Sequence, residues 1–147
     1  MKIGIGSDHA GFDMKNFIKK ELEKEGYELI DYGTYIKKSV DYPDFASKVA
    51  EGIIKKEIEK GILICGTGIG MSIAANKFKG IRAARCCTIY DAVLARQHND
   101  ANILALGARL IAKELAWEIT KTFLETPFLK GRHLRRVNKI KKFDKKL

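Results

Sequence analysis

Cys65 is followed by three glycines at alternate positions, Gly66, Gly68 and Gly70, inside the segment GILICGTGIGMSIAAN that runs from Gly61 to Asn76. Glycine lets the backbone turn without a side-chain clash, so neighbouring N–H groups can point into one concavity. The first amides of a helix also lack internal partners and carry partial positive charge. Such a loop suits an anion, either a phosphate or an oxyanion that forms during a reaction. A thiol at its lip is favoured as the thiolate and becomes a candidate base. The loop is not a nucleotide signature. Met71 stands where GxGxxG needs its third glycine, and Arg85 and Cys86 stand where an acid about 20 residues on would be expected. No Gly-Lys-Ser/Thr follows either. Taken alone, the stretch is equally a glycine turn around a buried cysteine.

Other reactive side chains come in pairs. Asp8 precedes His9, His98 precedes Asn99, and Arg132 and Arg136 are four apart, on one face of a helix. A bound phosphate needs cations and N–H donors, for which Arg109, Arg132, Arg136 and His9 are candidates. A carbon acid needs a base beside it and donors for the enediolate that results. Cys65 is the candidate base and the Gly66 to Gly70 amides, Ile69 included, are the donors. A cyclic sugar must first open, which needs an acid–base group such as His98 or Asp8. This chemistry implies no organic cofactor and no metal. The sequence has no CxxC and no HxxxH.

The positioning elements read as alternating strands and helices. Lys2–Ser7 is a buried strand that ends at Asp8 and His9. Phe12–Lys24 is a helix with apolar residues at 14, 17, 18 and 22 and lysine or glutamate elsewhere, stopped by Gly26. Tyr27–Tyr32 is a second strand. Asp41-Tyr42-Pro43-Asp44 is a turn, and Asp44 is expected to cap a helix reaching about Lys60. Ile62–Cys65 is the third strand, followed by the glycine loop and the helical MSIAAN. Ile81–Cys87 is a fourth strand, which would turn Cys86 and Cys87 to opposite faces. Ile89–His98 is a helix and Asn102–Leu106 a fifth strand. Ala112–Leu124 is a helix closed by Pro127, and the last segment has Leu134, Val137, Ile140 and Phe143 at helical spacing. This pattern predicts an α/β fold, a three-layer doubly wound sandwich around a five-stranded parallel sheet. Ligands of such sheets bind beyond the carboxyl ends of the strands. Asp8, His9, Cys65 to Gly70, Asn99 and Arg109 are all expected at those ends.

The 147 residues are read as one domain, 1–147, with 46% hydrophobic content. No apolar run approaches the ~20 residues needed to span a bilayer. The start, MKIGIGSDH, lacks a signal-peptide pattern, and three cysteines make a poor disulfide framework, so a cytoplasmic location is expected. The net charge of +10 sits mostly in a basic tail at about 129–147, where nine Lys/Arg face only Asp144. A small phosphorylated ligand needs two or three of these charges, whereas a nucleic-acid groove would use more. Phe143 is the only aromatic in the tail, which argues against stacking on single strands. Nucleic acid and membrane are not expected partners; a basic nucleic-acid-binding module is the rival from another class.

SDHAG at 7–11, DYPDFA at 41–46, ILICGTGIGMSIAANK at 62–77, RQHNDANILALGAR at 96–109 and GRHLRRV at 131–137 together resemble the type B ribose-5-phosphate isomerases. These are related to galactose-6-phosphate and allose-6-phosphate isomerases. The resemblance covers nearly the whole chain in order, apart from TYIKKSV at 34–40 and about the last ten residues. It implies a doubly wound fold, no cofactor, and a homodimer or dimer of dimers with active sites shared between subunits, the basic tail packing on its partner. It implies interconversion of ribose 5-phosphate and ribulose 5-phosphate through a cis-enediol. Cys65 matches the family's base, Thr67 and His98 the groups that assist ring opening, and Asp8, Tyr42 and Asn99 the sugar-hydroxyl contacts. Gly66, Gly68, Ile69 and Gly70 match the enediolate-binding amides, and His9, Arg109, Arg132 and Arg136 the phosphate ligands. Some relatives use a glutamate elsewhere as base; here Cys65 is present and position 71 is Met. A six-carbon 6-phosphate substrate is the alternative within the family, decided by the 34–40 loop and the pocket floor near Gly68 to Ser72. His133 has an ordering role in the tail as its alternative to a role in the site.

Overall fold

The computed structural model describes residues 1–146; Leu147, the end of the expected basic tail, lies outside the described residues. In chain order the elements are β1 (Lys2–Ser7), α1 (Phe12–Lys24), β2 (Glu28–Asp31), α2 (Tyr42–Ile54), β3 (Lys60–Cys65) and α3 (Ile69–Ala75). They continue with β4 (Ala83–Arg85), α4 (Ile89–Asn99), β5 (Ile103–Gly107), α5 (Lys113–Glu125) and α6 (Arg132–Phe143). The strands form one parallel sheet in the order β2-β1-β3-β5-β4.

Side chains alternate across each strand, and that alternation builds the layers. Ile3, Ile5, Ile62, Ile64, Leu104 and Leu106 meet Met14, Ile18 and Leu22 of α1, Ala92 of α4, and Ile119 and Phe123 of α5. Leu63, Cys65, Ile103 and Ala105 meet Ala46, Val49 and Ala50 of α2 and Met71 and Ala75 of α3. Each large aliphatic side chain buried this way contributes roughly 1.5–3 kcal/mol over its exposed state. The expected three-layer doubly wound sandwich is the architecture found. No helix among the described residues is long and apolar enough to cross a membrane.

Among the expected boundaries that move, those of α2, α3 and β4 do so for a local reason. α2 spans Tyr42–Ile54 rather than 44–60, because Pro43 with its fixed φ opens the helix one turn earlier. Asp41 holds the N-cap position and Asp44 lies within the first turn. Lys56, at φ 61°, ends the helix, and Ile58 turns back into the core at 3% exposure. α3 starts at Ile69, two residues before MSIAAN, because Gly68 at φ 78° turns the chain directly into it. β4 is three residues long rather than seven. The Asn102 side chain takes the Arg82 amide (2.8 Å) and donates to the Gly80 carbonyl (2.8 Å), which delays strand pairing. Thr88 caps α4 in a reciprocal pair with Asp91 (3.0 Å each way), so Cys86 and Cys87 follow the strand instead of lying on it.

Cys65 pairs in register with Gly107, and Ser7 with Ile64. From β1 the chain leaves toward β2 on one side; from β3 it leaves toward β4 and β5 on the other. The crevice between the ends of β1 and β3 is therefore the topological switch point, where ligands of open α/β sheets bind.

Candidate active site

β1 and β3 deliver Asp8 and Cys65 to the mouth of this crevice. The Asp8 amide donates to the Ile64 carbonyl (3.2 Å), locking the two strand ends together. The Asp8 carboxylate accepts from the Gly11 amide (3.0 Å) and is largely buried. The Gly68 amide donates to Cys65 Sγ at 3.1 Å, and the cysteine is 5% exposed. Gly68, in the left-handed region, turns the chain from that amide directly into α3. Ala108 and Arg109 give their amides to the Cys65 and Gly66 carbonyls, both at 2.9 Å, and so fasten the loop to the end of β5.

The resulting cleft encloses about 430 Å³. Cys65, Gly66, Thr67, Ile69 and Gly70 form one wall; Asp8, Tyr42, Ile73 and Arg109 complete it. Thr67 Oγ1 accepts from the Ile69 amide (3.2 Å). The Tyr42 ring lies over Gly70, so close that a Cβ there would sit 2.6 Å from it. The Arg109 guanidinium lies over Gly66, with Nη1 3.0 Å from the place of a Cβ. A thiol, backbone amides, a carboxylate and a guanidinium thus share one concavity, a set suited to proton transfer beside a developing oxyanion. His9 lies close by on the chain, and its Nδ1 accepts from the Val40 amide (3.2 Å), which leaves Nε2 as the protonated nitrogen of the neutral ring.

The remaining candidates lie elsewhere on the chain. α4 runs from the carboxyl edge of the sheet back to the amino edge, so His98 and Asn99 do not lie at the carboxyl ends as expected for Asn99. The Asn99 carbonyl accepts from Arg82 Nε (3.0 Å), just before β4 begins. The length of β5 between the two edges is roughly 13 Å at about 3.3 Å per residue. There α6 packs on α4, and the His98 ring stacks on His133 at 4.2 Å between centroids and 11° between planes. Arg132 and Arg136 are exposed on α6. Loss of water, then the charges of His98, Arg132 and Arg136, push the His133 imidazole below its ordinary value. Buried Arg96 fixes this corner through Asp100 (2.9 Å), the Ala101 carbonyl (2.6 Å) and the Thr126 carbonyl (3.1 Å).

Sequence reasoning missed three contributors. Ile73 lines the cleft, one turn after Ile69. Arg85 donates through Nε to the Thr67 carbonyl (2.8 Å) and grips the loop; its place at the end of a strand was the available signal. The Val40 amide fixes His9 and carries no signal in a side-chain pattern. The other cysteines are not in the cleft. Burial, with Asp91 and Cys87 nearby, pushes the Cys86 thiol up to about 12. A second cavity of about 470 Å³, between α1 and α5, is lined mostly by apolar side chains such as Met14, Phe17 and Ile111. Among the described residues, no group of three or more His, Cys, Asp or Glu side chains is placed to hold a metal ion.

The chain is similar in sequence and fold to several named proteins. Ribose-5-phosphate isomerase B of Escherichia coli (strain K12) is 50% identical over 139 residues, covering 95% of this chain and 93% of that protein. The structure of Clostridium thermocellum ribose-5-phosphate isomerase B superposes with a TM-score of 0.98 at 56% identity, covering 99% of each chain. That of the Mycoplasma genitalium enzyme with bound ribulose 5-phosphate superposes with a TM-score of 0.95 at 41% identity, covering 99% and 97%. The sequence profile of the ribose/galactose isomerases matches residues 3–140, and with the cleft at the switch point this establishes that the chain belongs to the ribose/galactose isomerase family.

Proposed function

We propose that the chain interconverts ribose 5-phosphate and ribulose 5-phosphate through a cis-enediol. The observation that carries the reading is the Gly68 amide aimed at Cys65 Sγ on the wall of the cleft. Cys65, as thiolate, takes the proton from C2 of the open aldose. The electron pair left behind forms the C1–C2 double bond and places negative charge on O1. Amides of Gly66, Gly68, Ile69 and Gly70 stabilise that charge. The O2 hydroxyl proton passes to O1, and the thiol returns its proton to C1, giving the ketose. Thr67 and His98 assist ring opening. Asp8, Tyr42 and Asn99 hold sugar hydroxyls, and His9, Arg109, Arg132 and Arg136 hold the phosphate.

Two copies of the chain complete each site in this reading. His98, Asn99, Arg132 and Arg136 lie at the sheet edge away from Cys65, so a partner must supply them. Exposed Ile69 and Ile73 at the cleft and Leu134 on α6 offer apolar surface for such a contact. The basic tail then packs on the partner of a cytoplasmic homodimer.

Turnover across a panel of aldose phosphates tests the reading. Ribose 5-phosphate is expected to give ribulose 5-phosphate faster than allose or galactose 6-phosphate gives its ketose. Turnover of six-carbon substrates alone would move the assignment to a 6-phosphate isomerase. No ketose from any of them, with salt-sensitive nucleic-acid binding in a gel shift, would replace it with the binding module.

A further inference from the structure

Lys15 lies at the end of the first turn of α1, and its side chain is 1% exposed. A lysine so placed loses its hydration and is retained only where fixed acceptors replace the water. Three do so here: Asp31 Oδ1 at 2.8 Å, Asp31 Oδ2 at 2.9 Å and the Thr34 carbonyl at 2.7 Å. Phe12 and Tyr35 place their rings 5.7 and 5.4 Å from the ammonium. A buried ion pair of this kind gains little stability over a packed apolar pair, so its value is in the geometry it enforces.

That geometry leads to the cleft. Asp31 also accepts the Gly33 amide (2.9 Å), and the Tyr35 hydroxyl donates to the Asp31 carbonyl (2.7 Å). Gly33 and Thr34 are stitched to Ser7 by the Ser7 amide on the Gly33 carbonyl (2.7 Å) and the Thr34 amide on the Ser7 carbonyl (2.8 Å). Asp8 and His9 follow Ser7 directly. At the far end of the loop the Val40 amide meets His9 Nδ1. The loop held by Lys15 therefore touches the His9 segment from both sides.

We propose that Lys15 is a positioning residue for the sugar-phosphate site: clamped on Asp31 and Thr34, it holds the 33–40 loop so that the Val40 amide fixes His9 with Nε2 as its donor nitrogen. The step from His9 to the phosphate rests on the isomerase reading above; the step from Lys15 to His9 does not.

The test uses the full chain and the double variant Lys15→Met/Asp31→Asn, which removes both charges so that neither is left buried alone. Ring 15N chemical shifts of His9 read its tautomer without turnover. Wild type is expected to show the Nε2–H form alone and the double variant a mixture of tautomers. KM for ribose 5-phosphate is expected to rise about tenfold or more, with kcat changing much less. A folded variant whose His9 remains purely Nε2–H overturns the proposal, and so does a changed tautomer with an unchanged KM. A double variant that does not fold overturns it as well, since Lys15 is then a folding residue. If wild type turns over no sugar phosphate, the isomerase reading fails while the tautomer comparison still decides the link from Lys15 to His9.

Discussion

The amide of Gly68 points at the sulfur of Cys65 across 3.1 Å, from a residue held at φ 78°. The residue that donates to the sulfur is thus also the one that turns the chain from β3 into α3. The contact to the thiol and the chain reversal meet in one residue.

Two glycines of this loop should respond differently to alanine. Gly68→Ala forces an L side chain into the left-handed region at a cost of about 1–2 kcal/mol. Its Cβ would also sit 3.0 Å from the Leu106 carbonyl carbon. Gly70→Ala meets the exposed Tyr42 ring, which can swing away. Thermal unfolding should show a loss of several degrees for the first and little for the second. Both should lower kcat/KM for ribose 5-phosphate.

The three thiols should separate by reactivity. Cys86 is buried and protonated at neutral pH, whereas Cys87 is half-buried and Cys65 opens on the cleft. Alkylation of the native protein, followed by peptide mass spectrometry, should modify Cys87 and Cys65 and spare Cys86. Saturating ribose 5-phosphate should protect Cys65 alone. Rapid modification of Cys86 would contradict its placement in the core.

Asp31 gives a pH dependence of defined sign. Burial alone would raise its carboxyl, but hydrogen bonds from Lys15, the Gly33 amide and Lys19, with the Lys15 charge, hold it below the ordinary aspartate value. A group depressed in the folded state stabilises the protein above its unfolded pKa of about 3.9 and loses that contribution as pH falls through the lower folded value. Acid unfolding of wild type should steepen below about pH 4. Asp31→Asn should flatten that limb while lowering stability at neutral pH. An unchanged acid limb would show that the Lys15 contact does not shift Asp31.

Most of the fold was legible because the apolar–glycine alternation at Ile3–Gly6, the apolar run Ile62–Cys65 and the apolar stripes of α1 and α2 are strong signals. That Asp8, Cys65 and Arg109 line one cleft was legible because strand ends in such sheets gather on one edge. Asn99 was placed on the wrong edge: it ends a helix, and a helix leading into a parallel strand ends at the amino side. Lys15 is one turn before Ile18 and two before Leu22, on the buried face of α1, but a lysine there reads by default as snorkelling to solvent. Its burial depends on Asp31, sixteen residues away, and periodicity does not report such a pairing.

The split between the Cys65 cleft and the His98–His133 corner makes subunit mixing informative. In the proposed homodimer, Cys65→Ala and Arg136→Ala should each be inactive or strongly impaired. Unfolded together and refolded as a mixture, they should form heterodimers with one intact site, recovering roughly a quarter of wild-type activity for random pairing in a two-fold dimer. Failure to recover activity, with heterodimers demonstrated, would mean that each site is built from one chain.

The most direct measurement is the steady-state rate of Cys65→Ala on ribose 5-phosphate, with the fold checked by circular dichroism. Loss of the proposed base should reduce kcat by on the order of 10²–10⁴ while KM changes little. A folded Cys65→Ala protein that turns over at the wild-type rate would contradict the assignment of the sulfur as the base.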